Sequence, residues 1–250
     1  MSTKVLHLIG GGEIGGAEQN VLNLLKNFPQ EKVHPSLICL TRNSPFATLA
    51  HSHGIPTKIF PMSFSLDISP LIPIFHYCRK KQIELLHCHG IRANFLGRIA
   101  ARLLSLPCIS TIHSRPESDY TSVWKGKLAL TLDNLTLPFS AGLIAVSSDL
   151  QRSTVLRLKN RNLSLSVKTI YNGCAALDFS NHDELRSQFR KKWDIPPNAK
   201  VIGTIGRLHP VKGQVFLIEA FKLLSKQFSD LHLLIIGGGP LHTELQDLLT

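Results

Sequence analysis

A chain of 250 residues with 43% hydrophobic and 18% charged side chains can fill one large core or two smaller ones, and is neither disordered nor fibrous. Its 28 lysines and arginines against 17 acids give a net charge of +11, which points to an anionic partner such as a nucleotide, a nucleic acid or an acidic membrane face. The basic clusters Arg79-Lys80-Lys81, Arg152 to Arg161 and Arg186 to Lys192 lack the interleaved aromatics of a nucleic-acid stripe and read as solvated helix faces. No nucleic-acid partner is therefore expected.

No apolar stretch reaches bilayer-spanning length, and Val5 to Ile9 stops at glycines, so it reads as a strand rather than a signal peptide. Five cysteines, Cys39, Cys78, Cys88, Cys108 and Cys174, form no C-x-x-C pair and are expected as reduced core residues of a cytoplasmic protein. Membrane contact, where it occurs, is expected to be peripheral.

After the strand Val5–Ile9 comes a glycine loop, 10–16, and a helix whose face carries Ala17, Val21, Leu24, Leu25 and Phe28. Gly10, Gly12 and Gly15 fit G-x-G-x-x-G between strand and helix, the setting of a dinucleotide fingerprint. The second strand, 34–40, ends in Thr41-Arg42, where an NAD site needs an acid for the ribose. Arg42 keeps an NADP-dependent oxidoreductase as the alternative reading. Glu18 fits a first-turn acid that favours the helix dipole.

A strand at 56–60 and a helix at 67–81 follow. Then Glu84-Leu-Leu-His-Cys-His-Gly90 delivers His87 and His89 on one side of a strand. Two such histidines suit a metal, but no third ligand stands at a sensible spacing, so no metal is expected. His87 reads as a packed core residue. A helix around Leu96 to Leu104 precedes the strand 106–112, which ends at His113, and the loop 114–125 carries Tyr120. A helix near 128–137, a strand at 142–146 and Ser147-Ser148-Asp149, a helix N-cap, follow. The strand 167–171 closes this half at Asn172-Gly173.

After a helix at 183–193 and Pro196-Pro197, the strand 201–205 runs through Gly206 into a helix expected to begin near Val211, with Leu217, Phe221, Leu224 and Phe228 on its face. Arg207 and Lys212 arrive where backbone N–H groups and the positive helix end favour a doubly charged anion. The arginine fork and the mobile lysine charge can hold a diphosphate without a metal; an ordinary solvated turn is the other reading. A strand at 231–236 and Gly237-Gly238-Gly239-Pro240 end the pattern before a last helix.

Gly206-Arg207-Leu208 with Lys212-Gly213 resembles the G-R-L-x-x-x-K-G signature of the large, mostly retaining GT-B glycosyltransferases of the group 1 or family 4 type. The glycine loop resembles that family's G-G-x-E segment, His87 to Gly90 its H-x-H-G element, His113 the histidine of its T-x-H, and Gly237 to Pro240 its G-x-G-P turn. The resemblance implies an α/β fold: a complete Rossmann-like doubly wound parallel sheet over 1–172, and a linker with the first β-α-β part of a second Rossmann-like domain over 173–250.

It also implies transfer of a sugar from a UDP- or GDP-type nucleoside-diphosphate sugar to a hydroxyl acceptor, a glycan or lipid-linked molecule of cell-surface synthesis, in the cleft between two domains. Under it Arg207 and Lys212 grip the diphosphate with Gly15, Gly16, Gly206, Gly238 and Gly239, His113 lies at the donor sugar, and Glu18, His89 and Tyr120 lie on the acceptor side. Two departures stand out. Asp178 follows Asn172-Gly173 later than the family's N-G-x-D places it, and no two glutamates have the family's E-x-x-x-x-x-x-x-E spacing, so a truncated, inactive or merely binding fragment is expected.

Overall fold

The computed structural model describes residues 2–64, 66–115, 122–176 and 178–249. The chain divides into two compact units, 1–175 and 176–250. Among the described residues no helix is long and apolar enough to cross a membrane.

The first unit is a seven-stranded sheet of order β3-β2-β1-β4-β5-β6-β7 with every neighbouring pair parallel. Its strands are β1 (Thr3–Ile9), β2 (Val33–Cys39), β3 (Thr57–Ile59), β4 (Leu85–His89), β5 (Cys108–Ile112), β6 (Gly142–Ala145) and β7 (Val167–Thr169). The helices are α1 (Gly16–Asn27), α2 (Pro45–Ser52), α3 (Leu71–Lys81), α4 (Ile91–Leu104), α5 (Val123–Thr136) and α6 (Ser148–Lys159). This is the doubly wound order, reversing between β1 and β4, where the carboxyl ends of the strands leave a crevice.

The central strands are buried on both faces, which is why β1 and β4 read as near-continuous apolar runs rather than alternating ones. One cluster joins Leu6 and Leu8 to Ile74, Leu86, Cys88, Leu96 and Cys108; a second joins Ile9 to Val21, Leu25, Leu37 and Phe46. Helix α4 sits close on β4 because position 97 has no side chain: a Cβ at Gly97 would lie 2.2 Å from Cys88 Sγ. Four of the five cysteines are buried as expected, and Cys174 is exposed.

Helix ends explain the shifts from the expected boundaries. Ser44 caps α2 by accepting the Ala47 N–H at 3.0 Å, with Pro45 at the first helical position. Helix α3 begins at Leu71 rather than at 67, because the Asp67 carboxylate is taken by the N–H groups of Ser63 (2.7 Å) and Ser69 (2.9 Å), which fold a turn ahead of it. Ser147 caps α6 through the Leu150 N–H, as its sequence suggests.

A buried charge network ties α4, α5 and α6 to β5. Arg98, fully buried, meets Asp133 at 2.7 Å and donates from Nε to Ser110 Oγ at 3.1 Å; Arg157 reaches the other Asp133 oxygen at 2.9 Å. Asn94 adds a 3.2 Å bond to Asp133. Burial alone would raise the Asp133 pKa, but the two guanidinium charges outweigh it and hold the carboxyl below its ordinary value.

The second unit pairs β8 (Lys200–Ile205) and β9 (Leu231–Ile236) in parallel, with α7 (His182–Lys192), α8 (Gln214–Ser225) and α9 (His242–Leu249). Leu208, Ile218 and Leu245 form its buried core, against which Val215, Leu233 and Ile235 pack. Helix α7 has no buried residue.

Removing Asp133 leaves two buried guanidinium groups without their counter-ion. Asp133→Ala is expected to lower unfolding stability by roughly 3–5 kcal/mol, read from urea unfolding; an unchanged midpoint would mean that the network carries no stability.

Candidate functional site: a diphosphate loop and a histidine face

Strand β8 ends at Ile205, and the connection to α8 is two-staged. A 3₁₀ turn, Pro210–Lys212, comes first, and Gly213, in the left-handed region (φ 67°), separates it from α8. The helix therefore starts at Gln214 and not near Val211. The correction follows from Pro210 and Gly213, which fix a tight turn and then reverse the backbone before the helix can begin. No side chain caps α8, so its first N–H groups keep the partial positive charge that suits an anion. Arg207 and Lys212 are both exposed on this connection.

The loop is held from two sides. Gln214, 2% exposed, donates from Nε2 to the Arg207 carbonyl at 2.9 Å. The turn after β9 continues the strand pairing alongside it: Gly206 N–H donates to Ile236 O at 2.9 Å, Leu208 N–H to Gly238 O at 2.9 Å, and Leu241 N–H to Leu208 O at 3.2 Å. The glycines of this turn differ in purpose. A Cβ at Gly237 would lie 1.9 Å from the Gly206 carbonyl oxygen and one at Gly239 would lie 2.4 Å from that of Leu208, whereas Gly206 and Gly238 have open space there. Gly237 and Gly239 serve the close packing of two backbones; Gly206 and Gly238 leave open space beside the chain, while the Gly206 N–H and the Gly238 carbonyl are engaged in this pairing. The first pair includes Gly239, read from sequence as a phosphate contact.

In the first unit, Gly11 (φ 70°) turns the loop after β1 in a space that a Cβ would share with Cys39 and Ser44 at 2.9 Å. Gly15 precedes α1, and the Glu18 carboxylate accepts the Gly15 N–H at 3.1 Å. Glu18 thus closes the start of its own helix, half of a capping box. A carboxylate at that helix end opposes the pyrophosphate which a dinucleotide fold would put there, and this weighs against the NAD(P) alternative. Gly16 stands in open space.

Four histidines share one face of the sheet at the carboxyl ends of three strands. His7 on β1 is register partner to His87 on β4, and His89 pairs with Thr111 on β5, two residues before His113. His7 Nδ1 lies 3.1 Å from His89 Nε2, His89 Nδ1 lies 3.3 Å from His113 Nε2, and His87 Nε2 lies 2.7 Å from Thr111 Oγ1. The outer nitrogens of the row, His7 Nε2 and His113 Nδ1, are buried without a hydrogen-bond partner among the described residues. His87 and His89 line a cavity of about 850 Å³ with Asn23, Thr111, Tyr171 and Gly173.

Burial pushes His87 and His113 down to about 4 from the usual 6.5, and holds His7 and His89 well below it. All four rings are neutral at pH 7. Of the remaining sequence candidates, Tyr120 lies outside the described residues, and Asp178 accepts the Ser180 N–H at 2.9 Å in an exposed turn. His7 and Gln214 were not anticipated. His7 stands three residues before Gly10, as His87 stands three before Gly90, and that shared offset is the signal that was legible.

The chain is thus an α/β protein with two Rossmann-like parallel units, one carrying a histidine face and the other a glycine turn beside exposed cations. The chain belongs to the Glycosyltransferase Family 4, whose model matches residues 14–174, and the model for Glycosyl transferases group 1 matches residues 186–250. It is 24% identical to the UDP-Gal:alpha-D-GlcNAc-diphosphoundecaprenol alpha-1,3-galactosyltransferase of Escherichia coli over 97% of this chain and 64% of that enzyme. It is 28% identical to the GPI3 subunit of the Saccharomyces cerevisiae phosphatidylinositol N-acetylglucosaminyltransferase over 68% of this chain and 36% of that protein. The crystal structure of Anabaena HepE in complex with UDP-glucose superposes with a TM-score of 0.75, at 23% identity, over 98% of this chain and 65% of HepE. The chain thus spans about two thirds or less of each of these relatives.

The histidine row predicts acid sensitivity. An unfolded chain takes up protons near pH 6.5, while the folded rings resist them until about pH 4. The unfolded state therefore binds more protons in this window, and stability falls as pH drops from 6.5 toward 4. Thermal unfolding against pH should show this slope, and His87→Asn should flatten it; an identical slope in the variant would contradict the assignment.

Proposed function

We propose that the protein takes part in sugar transfer from a nucleoside-diphosphate sugar to a hydroxyl acceptor, with residues 206–213 gripping the donor diphosphate. The acceptor oxygen forms a bond to the anomeric carbon as the bond from that carbon to the diphosphate oxygen breaks, and the acceptor's hydroxyl proton passes to the departing diphosphate. Negative charge then builds on the leaving group. Arg207 and Lys212, with the uncapped N–H groups of α8, stabilise that charge. No metal is assigned to this step. The observation that carries the reading is two exposed cations, Arg207 and Lys212, at the uncapped start of α8, with open space beside Gly206 and Gly238.

His113 is assigned to the donor sugar, as a neutral hydrogen-bonding group whose Nε2 is held by His89. Gly15 and Gly16 are assigned to the donor phosphates, and His89 with Tyr120 to the acceptor. Glu18 is assigned to closing its helix, which keeps the Gly15 loop in shape. A UDP-type donor is supported by the names of the Escherichia coli enzyme and the HepE complex. A lipid-linked acceptor is supported by the two curated relatives, whose names carry diphosphoundecaprenol and phosphatidylinositol. Peripheral contact with an acidic membrane surface is consistent with the +11 charge.

Each cation supplies one charge-assisted contact of about 1.5–3 kcal/mol. Arg207→Ala and Lys212→Ala should each weaken UDP binding about 10- to 100-fold by titration calorimetry, with Arg207→Lys intermediate. Unchanged affinity in both alanine variants would remove the grip. Sedimentation with acidic liposomes that ignores lipid charge and salt would remove the membrane contact.

A further inference from the structure

The sequence offers two histidines for a metal and no third; the fold supplies the third. Parallel pairing brings His7 of β1 beside His87 of β4, and one ring nitrogen from each of His7, His87 and His89 lies within 4.8 Å of the others. We propose that these three imidazoles form a binding site for a divalent transition-metal ion of the zinc type, independent of the diphosphate loop but sharing His89 with the acceptor side of the proposed transfer.

Four observations carry it. The closest pair of ring nitrogens, His7 Nδ1 and His89 Nε2 at 3.1 Å, already has nearly the separation of two ligands on one tetrahedral ion with bonds of about 2.0–2.1 Å. The widest span must shorten, which asks for small ring rotations within the cluster: His87 and His89 have centroids 4.2 Å apart, and His7 and His87 4.8 Å, with Phe28 5.8 Å from His7. His7 is fully buried with its Nδ1 turned to His89, which puts a neutral imidazole nitrogen inside the cluster rather than toward solvent. Finally, both β4 rings have the outer partners that orient metal-bound histidines, Thr111 Oγ1 at 2.7 Å from His87 and His113 Nε2 at 3.3 Å from His89.

Three neutral imidazoles suit zinc, cobalt, nickel or copper and disfavour magnesium or calcium, which take oxygen ligands. Entry is from the 850 Å³ cavity that His87 and His89 line, and that side leaves the fourth position to water. A bound ion would join β1 to β4 at their carboxyl ends and hold His89 against His113.

The test uses the 250-residue protein after chelator treatment, with Co²⁺ as the probe. One equivalent per chain should produce the intense visible bands of a tetrahedral nitrogen site, abolished by Zn²⁺, and Zn²⁺ should raise the melting temperature by several degrees. His7→Asn and His87→Asn should each weaken binding about 100-fold or more, whereas replacing His51 and His53, both exposed, should leave it unchanged. Absent bands, binding indifferent to His7→Asn, or binding lost with the surface pair would each overturn the site. If the buried variants fail to fold, zinc-edge X-ray absorption on the intact chain decides: three or more imidazoles per zinc support the site, and fewer refute it.

Discussion

The first unit depends on a buried carboxylate. Asp133 is shared by Arg98 and Arg157 and backed by Asn94, so three helices converge on one charge. Two cations and one anion leave a net positive charge in the interior, a costly arrangement unless its polar atoms are met. Arg98 meets part of this by also bonding Ser110 on β5 and the Asp133 and Thr136 oxygens of α5, while its Nη2 has no partner among the described residues. The network therefore anchors the strand that leads into His113. Positioning of the histidine face begins some distance from it, in a contact between helices.

Most of the architecture was legible because parallel strands buried on both faces leave plain apolar runs, and glycine turns mark where each one ends. The seven strands of the first unit and both of the second fall where their runs lie. Helix starts were less legible. Asp67 could have opened a helix but folds a turn instead, and Pro210 with Gly213 inserts a 3₁₀ turn ahead of α8. Both outcomes depend on which backbone groups a side chain or ring claims first, a competition that periodicity does not record.

The candidate site divides the same way. Arg207, Lys212 and the flanking glycines could be read from one short stretch, since everything that shapes that loop lies close in sequence or in the adjoining β9 turn. His7 could not be read alone. Its meaning comes from standing opposite His87, eighty residues on, and only strand order supplies that neighbour. The metal reading was set aside for lack of a third ligand, and register is what provides one. Glu18 carries two readings: the resemblance implies an acceptor-side contact, and in the structure its carboxylate accepts the Gly15 N–H.

The paired backbones of 206–208 and 236–241 have a consequence for selectivity. Under the proposed diphosphate grip, two cations and a helix start meet phosphate oxygens, which are the same in every nucleoside diphosphate. Discrimination among uracil, guanine and the sugars they carry must therefore be built by side chains elsewhere, so that a family can exchange its donor while leaving this loop untouched.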